Sequence, residues 1–336
     1  IIRLLSVLSF SLILLFYLLF KKTPKKIIVQ SPPLLLSFIS VFVLSLKNKK
    51  IILNVSDLWP LAAVELNALK EHSFSHKLSL FLERFIYKKA TLILGQSDEI
   101  LTHIKSIFPS KNCFLYRNFP DHMISKLELK TDSNTLEKQP IKIFYAGLLG
   151  IAQGVYELCE KLDLKNLHIE LHVFGDGAEK NQLETLISSQ KEQKIFFHGM
   201  MERKELHKIL KTYDVAIVPL KTRINGSVPS KIFPVLYFGG GEGGTIVEEN
   251  NLGWVAEVEN FEELNDKIIE ISKLTKEELL VIKKKVFETS KSAFNLDIQM
   301  NDLIAKNVFE YAFSSPFTAL TSVINIIFKS SKSDQF

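Results

Sequence analysis

The chain has 336 residues, 46% of them apolar, with 42 Lys and Arg against 37 Asp and Glu. That size and apolar content suffice for two domains with separate cores and exclude a disordered or fibrous chain. The charge is unevenly placed: residues 1–140 carry 19 basic and 10 acidic side chains, a net of +9, and residues 141–336 carry 23 and 27, a net of −4. A broadly basic half suits an anionic membrane or a phosphorylated lipid, and no nucleic-acid motif accompanies it. Cys113 and Cys159 stand in apolar or helical settings, as in a reducing compartment. With no CxxC and no clustered histidines, no structural metal is expected.

Ile1–Phe20 is almost wholly apolar and runs into Lys21, Lys22, Lys25 and Lys26. Its length matches a bilayer span, with the lysines marking the cytoplasmic flank. Arg3 and the serines Ser6, Ser9 and Ser11 favour instead a helix packed on a domain with one face toward lipid. No small-residue cleavage site follows, which argues against a signal peptide. Short apolar strands are predicted at 27–30, 51–55, 91–94 and 113–116, with helical segments at 34–46, opened by Pro32 and Pro33, and 78–89. Such alternation implies a parallel sheet wrapped by helices. Asp57-Leu-Trp-Pro60 follows the second strand, at the end where open parallel sheets place ligands. Asp57 and Trp59 either orient a sugar, through carboxylate and ring face, or serve as a helix N-cap and a core residue.

Residues 130–140 are polar and aperiodic, as in a linker. A second alternating series follows, with strands predicted at 141–146, 168–174, 195–197 and 215–218, and helices from Val155, from Glu179 and over 202–213. Its strands deliver the turns Gly147-Leu-Leu-Gly150, Gly175-Asp-Gly177 and His198-Gly199, which right-handed crossovers would set on one sheet edge. The stretch KTRINGSVPSKIFPVLYFGGGEGG at 221–244 adds Lys221, Arg223, Lys231 and six glycines. Its glycines and serines admit backbone N–H groups to a phosphate, and a lysine at a helix start adds to the positive end. The same stretch also reads as an ordinary loop. Farther on, 261–270, 276–291 and 295–309 have helical patterns, and 311–328 is apolar.

Taken together, YAGLLGIAQG (145–154), FGDGAEKNQL (174–183), FHGMMERKEL (197–206), VPLKTRINGSVPSKIF (218–233) and GGGEGG (239–244) resemble the retaining GT-B glycosyltransferases of family four. The likeness is nearest to bacterial enzymes of O-antigen, capsule and exopolysaccharide assembly, including N-acetylfucosaminyl transferases, whose first domain carries a DLWP like residues 57–60. The resemblance spans about residues 1–310. It implies an α/β fold of GT-B type, two Rossmann-like domains with parallel sheets facing across a cleft. Their bounds are 1–130 for the acceptor-side domain, 131–140 for the linker and 141–292 for the donor domain. A helix over 293–310 crosses back, and 311–336 is a tail.

The resemblance further implies a nucleotide-sugar donor, UDP-linked, and a lipid-linked or glycan acceptor at the inner face of the plasma membrane. Neither metal nor cofactor is implied. Gly147 and Gly150 would lie beside the diphosphate, Gly175 and Gly177 near the nucleoside, and the Met200 backbone against the base. Lys221, Arg223, Gly226, Ser227, Ser230 and Lys231 would cup the β-phosphate and sugar, with Glu242 and Gly243 completing the donor side. Asp57 and Trp59 fall on the acceptor side. Asp57 and Lys231 are the catalytic candidates, Lys231 neutralising the leaving diphosphate.

The sequence departs from the family at five places. Leu148 and Gln153 stand where many relatives have basic residues, and Ser56 where a histidine is usual. PSKIF passes straight to Pro234, so about two helical turns, ~7 residues, and the glutamate that holds the ribose have no counterpart. The glycine-rich loop that precedes the first helix in relatives has none either, so the first domain is expected to be incomplete. These departures leave two rivals to the enzyme: a non-catalytic relative that binds at a membrane, and a sugar-nucleotide epimerase of the same architecture.

Overall fold

The computed structural model describes residues 2–117, 139–221, 234–239 and 241–305, with side chains from Ser6 onward. It divides into two compact units, Ile1–Phe294 and Asn295–Phe336. The described part of the second unit is one helix, Leu296–Ala305.

In the first unit, α1 (Ile2–Phe20) leads into β1 (Lys26–Ser31), α2 (Leu34–Leu46), β2 (Lys50–Val55), α3 (Leu61–Glu65), α4 (Phe74–Lys89), β3 (Leu92–Gly95), α5 (Asp98–Ile107) and β4 (Cys113–Leu115). The four strands form a parallel sheet in the order β1-β2-β3-β4. Ile51, Leu53, Val55, Ile93 and Val41 are fully buried beneath its helices. Sequence pattern found the strands because two-sided burial makes them continuous apolar runs. It passed over α5, whose start carries a standard signal: Ser97 Oγ accepts from Ile100 N–H, with Asp98 and Glu99 in the first turn.

The second series runs β5 (Ile141–Ala146), α6 (Val155–Lys161), β6 (Ile169–Phe174), α7 (Lys180–Ser189), β7 (Ile195–Gly199), α8 (Arg203–Leu210), β8 (Val215–Pro219), β9 (Val235–Phe238), α9 (Glu242–Glu249), β10 (Gly253–Ala256), α10 (Phe261–Ser272) and α11 (Lys276–Ser292). Among the described residues six strands make one parallel sheet, ordered β10-β9-β8-β5-β6-β7. Its core is separate from that of the first sheet and is built on Ile143, Val173, Leu171, Val215, Ile217 and Leu236. The helices are closed by local caps: Asn260 accepts from Glu263 N–H, and Thr275 with Glu278 forms a reciprocal capping box. The sequence reading did not include β9, α9 or β10. Strand β9 has only four residues, set between Pro234 and the glycine run, so no periodicity marks it.

One face of this sheet carries a polar inclusion. His172 Nδ1 lies 2.9 Å from His198 Nε2, and His172 Nε2 lies 3.2 Å from Glu170 Oε2. The rings of Phe174, Phe196 and Tyr213 pack around the pair. Burial pushes both histidines below their ordinary value of 6.5; the Glu170 carboxylate opposes this at His172, and His198 and Lys142 reinforce it. A depressed histidine binds fewer protons folded than unfolded, so its contribution is complete above pH 6.5 and is lost as pH falls below it. We predict that the melting temperature falls between pH 7 and pH 5 and that His172→Asn/His198→Asn flattens this dependence. An unchanged slope in the double variant would show that other groups set it.

Candidate functional site

The order of the second sheet reverses between β5 and β8: β6 and β7 extend to one side, β8, β9 and β10 to the other. Crevices at the carboxyl end of such a switch point are the usual ligand sites of open parallel sheets. The turn after β5 holds Gly147 and Gly150, and the segment after β8 begins at Leu220 and Lys221. The two meet: Lys221 N–H donates to Ala152 O at 3.0 Å, and Gly154 lies against the Lys221 side chain. Gln153, Gly154, Glu157, Leu220, Lys221 and Phe238 line a small recess there that opens to solvent.

The glycine turns are knitted to one another through the backbone. Gly147 N–H donates to Phe174 O at 3.0 Å, Leu149 N–H to Asp176 O at 2.9 Å, Gly175 N–H to Gly199 O at 2.9 Å, and Glu179 N–H to Leu149 O at 3.1 Å. Gly175 and Gly177 have φ of +150° and +156°, and a Cβ on either would collide with the carbonyl of Gly147 or of Leu149. Glycine is therefore required here by turn-on-turn packing, whatever else binds nearby. Tyr145 locks the same turn from below, its hydroxyl donating to Leu148 O at 2.7 Å; burial raises its pKa well above the usual range, with Glu179 adding to the rise.

Gly147, Gly150, Gly175, Gly177 and Lys221 thus share one edge, with Met200 exposed just beyond β7. Lys221 Nζ sits 3.5 Å from Glu157 Oε2, both partly exposed, a pairing weak enough to yield to an anionic ligand. Leu148, one of the two positions where the family resemblance leads one to expect a cation, is 64% exposed, and the apolar Ile151 beside it is 69% exposed. Arg223, Gly226, Ser227, Ser230 and Lys231 lie outside the described residues. Pro234 O accepts from Ala216 N–H at 2.8 Å and β9 starts at the next residue, so the sheet resumes immediately after PSKIF.

Glu242 and Gly243 open α9, and Glu242 is bound to the other sheet's elements. Its Oε1 accepts from Arg117 at 2.7 Å, and its Oε2 accepts from Glu99 N–H at 2.8 Å. Neither Arg117 nor Glu99 stood out in the sequence. The available signal was position alone: each follows the carboxyl end of a parallel strand, β4 and β3.

On the first sheet, a polar chain leads to Asp57. Asn54 Nδ2 donates to Gln30 Oε1 at 2.7 Å, Gln30 Nε2 to Ser56 Oγ at 3.0 Å, and Ser56 Oγ to Asp57 Oδ2 at 3.3 Å. The N-cap alternative for Asp57 is corrected by the structure: α3 starts at Leu61 after Pro60, with no side-chain cap. Partial burial raises the Asp57 pKa and the Ser56 hydroxyl lowers it; the side chain still reaches solvent, which limits the rise. Trp59 packs partly buried against the first core, which leaves part of its ring open to solvent. Among the described residues no group of three or more His, Cys, Asp or Glu could hold a metal ion.

Residues 128–285 match the family model of the glycosyl transferases group 1, a span that takes in the second sheet and both edges of the switch point. Sucrose-phosphate synthase from Thermosynechococcus elongatus superposes with a TM-score of 0.62 at 17% identity, over 84% of this chain and 73% of its own. HepE of Anabaena, solved in complex with UDP, gives 0.63 at 13% identity, over 89% and 81%. TarM of S. aureus, solved with fondaparinux, α-GlcNAc-glycerol and UDP, gives 0.65 at 17%, over 90% of this chain and 59% of TarM. No curated protein sequence matches the chain. The fold is GT-B, and its second sheet lies within the segment that matches the glycosyl transferases group 1 model.

Because the turns are in backbone contact, Gly177→Ala is expected to cost about 1–3 kcal/mol of stability through the forced clash and strained φ. Thermal unfolding checks this. An alanine variant as stable as the parent would mean that the turns separate without penalty.

Proposed function

We propose that the chain is a glycosyltransferase that moves a sugar, with retention and without a metal, from a nucleotide sugar, UDP-linked, to a lipid-linked or glycan acceptor in cell-surface polysaccharide assembly. The observation that carries the reading is the knitted row of glycine turns at the β5/β8 switch point, inside the group 1 segment. Such a row presents backbone rather than side chains to an anion. The UDP complexes of HepE and TarM support a uridine nucleotide.

In this reading the diphosphate lies along Gly147–Gly150, with the nucleoside toward Gly175, Gly177 and Met200. Lys221, Arg223 and Lys231 supply the positive charge that Leu148 and Gln153 do not, and Gly226, Ser227 and Ser230 offer N–H and hydroxyl donors. As the glycosidic bond to phosphate breaks, negative charge grows on the leaving diphosphate, and Lys231 stabilises it. The departing phosphate takes the acceptor's proton. Asp57, held by Ser56, orients acceptor hydroxyls, with Trp59 at the sugar's C–H face. A non-catalytic relative is the second reading, favoured by the start of β9 directly after Pro234, which leaves no place for a glutamate-led helix.

The membrane is the acceptor's location in this proposal, at the inner face of a bacterial membrane. Leu8, Phe10, Leu12, Ile13, Phe16 and Phe20 are exposed along α1. Beside its end Lys47 and Lys49 donate to the carbonyls of Lys21 and Thr23, both at 3.0 Å, which gathers the lysines of 21–26 and 47–50 at one rim. Among the described residues no helix is long and apolar enough to cross a membrane. An apolar helix face with a cationic rim suits in-plane attachment to anionic lipid.

Titration calorimetry with UDP is expected to show binding that Lys231→Ala weakens by roughly 1.5–3 kcal/mol, the worth of a charged hydrogen bond to phosphate. With no ribose-holding glutamate, dUDP should bind within tenfold of UDP, under about 1.4 kcal/mol. Equal affinity of parent and Lys231→Ala would remove Lys231 from the site, and a larger preference for UDP would show that another residue holds the ribose. In a second test the protein should sediment with anionic vesicles and less with neutral ones, releasing at high salt. Release by detergent alone would mean that α1 spans.

A further inference from the structure

Helices α5 and α9 begin at the carboxyl ends of β3 and β9, one in each sheet, and each exposes first-turn N–H groups that no intrahelical carbonyl can satisfy. Helix α9 follows Gly241, which brings no capping side chain. Its Glu242 N–H instead donates to Glu99 Oε1 at 3.1 Å, while Glu99 N–H on α5 donates to Glu242 Oε2 at 2.8 Å. The two helices cap each other across the cleft, each through the other's glutamate. Arg117, 14% exposed, clamps the pair: one nitrogen reaches Glu242 Oε1 at 2.7 Å and the other Asp98 Oδ2 at 2.8 Å. Glu242 is only 9% exposed, so its charge depends on these partners.

We infer that Glu99, Arg117 and Glu242 form an interdomain latch that fixes how closely the two sheets face one another, and that they act on transfer as positioning residues. Two features single this contact out. It joins the partially positive ends of two helices, which would repel without the intervening carboxylates. It also sits one strand away from each half of the proposed site, since β3 neighbours β2, which Asp57 follows, and β9 neighbours β8, which Lys221 follows. Its closure presses acceptor side onto donor side. The functional part rests on the glycosyltransferase reading; the contact itself does not.

Amide exchange reads the latch directly, because the N–H groups of Glu99 and Glu242 owe their protection to the other domain. In the full chain both should be protected. Glu242→Ala should speed exchange at Glu99 about tenfold, and Glu99→Ala should do the same at residue 242, while Glu242→Gln, which keeps one of the two accepting oxygens, should speed exchange at Glu99 less than the alanine does. The two alanine variants lie in different domains, so one that folds suffices. Unprotected amides in the parent, or no cross-domain effect, would overturn the latch. In a turnover assay, Arg117→Met should lower kcat about tenfold with UDP affinity within twofold, since the donor is held by the second domain. Unchanged kcat in a turning-over enzyme would overturn the positioning role. Reciprocal exchange without any parent turnover would leave the latch standing and overturn the glycosyltransferase reading.

Discussion

The contact on which the rest depends is backbone on backbone: the turn after β5 lying against the turn after β6, with no room for a Cβ between them. Hydrogen bonds from Gly147, Leu149 and Gly175 tie three successive turns into one ledge. A ledge of this kind cannot be assembled from longer side chains. Its members share hydrogen bonds, and the Lys221 backbone joins it through Ala152 O at the switch point. The anion-binding character proposed for the protein is a consequence of that packing.

The two halves of the first unit divide the labour by composition. The first half is basic and carries an apolar helix face with a lysine rim; the second is mildly acidic and holds the glycine ledge. They have separate cores, and the described ionic contact between them runs through Arg117 and Glu242.

Much of this was legible in the residues. Buried parallel strands announced themselves as short apolar runs, and the glycine turns as breakers at strand ends. The glycine motifs fall together on one sheet edge, and the GT-B fold bears out the architecture. What could not be read was pairwise and distant. The partnership of Glu242 with Glu99 spans 143 positions and depends on how two sheets face each other. Strand β9 was hidden because four residues bounded by proline and glycine show no period. Helix α5 is signalled locally, by Ser97 with two acids behind it. For Gly175 and Gly177 the family resemblance implies nucleoside contact, and the structure adds a packing reason that holds with or without a ligand.

A crystal structure of the protein with UDP tests the central claim most directly. The account predicts diphosphate density along Gly147–Gly150 at the β5/β8 switch point, within reach of Lys221, with the uracil toward Gly175, Gly177 and Met200. Ordered UDP bound elsewhere on the molecule would contradict it.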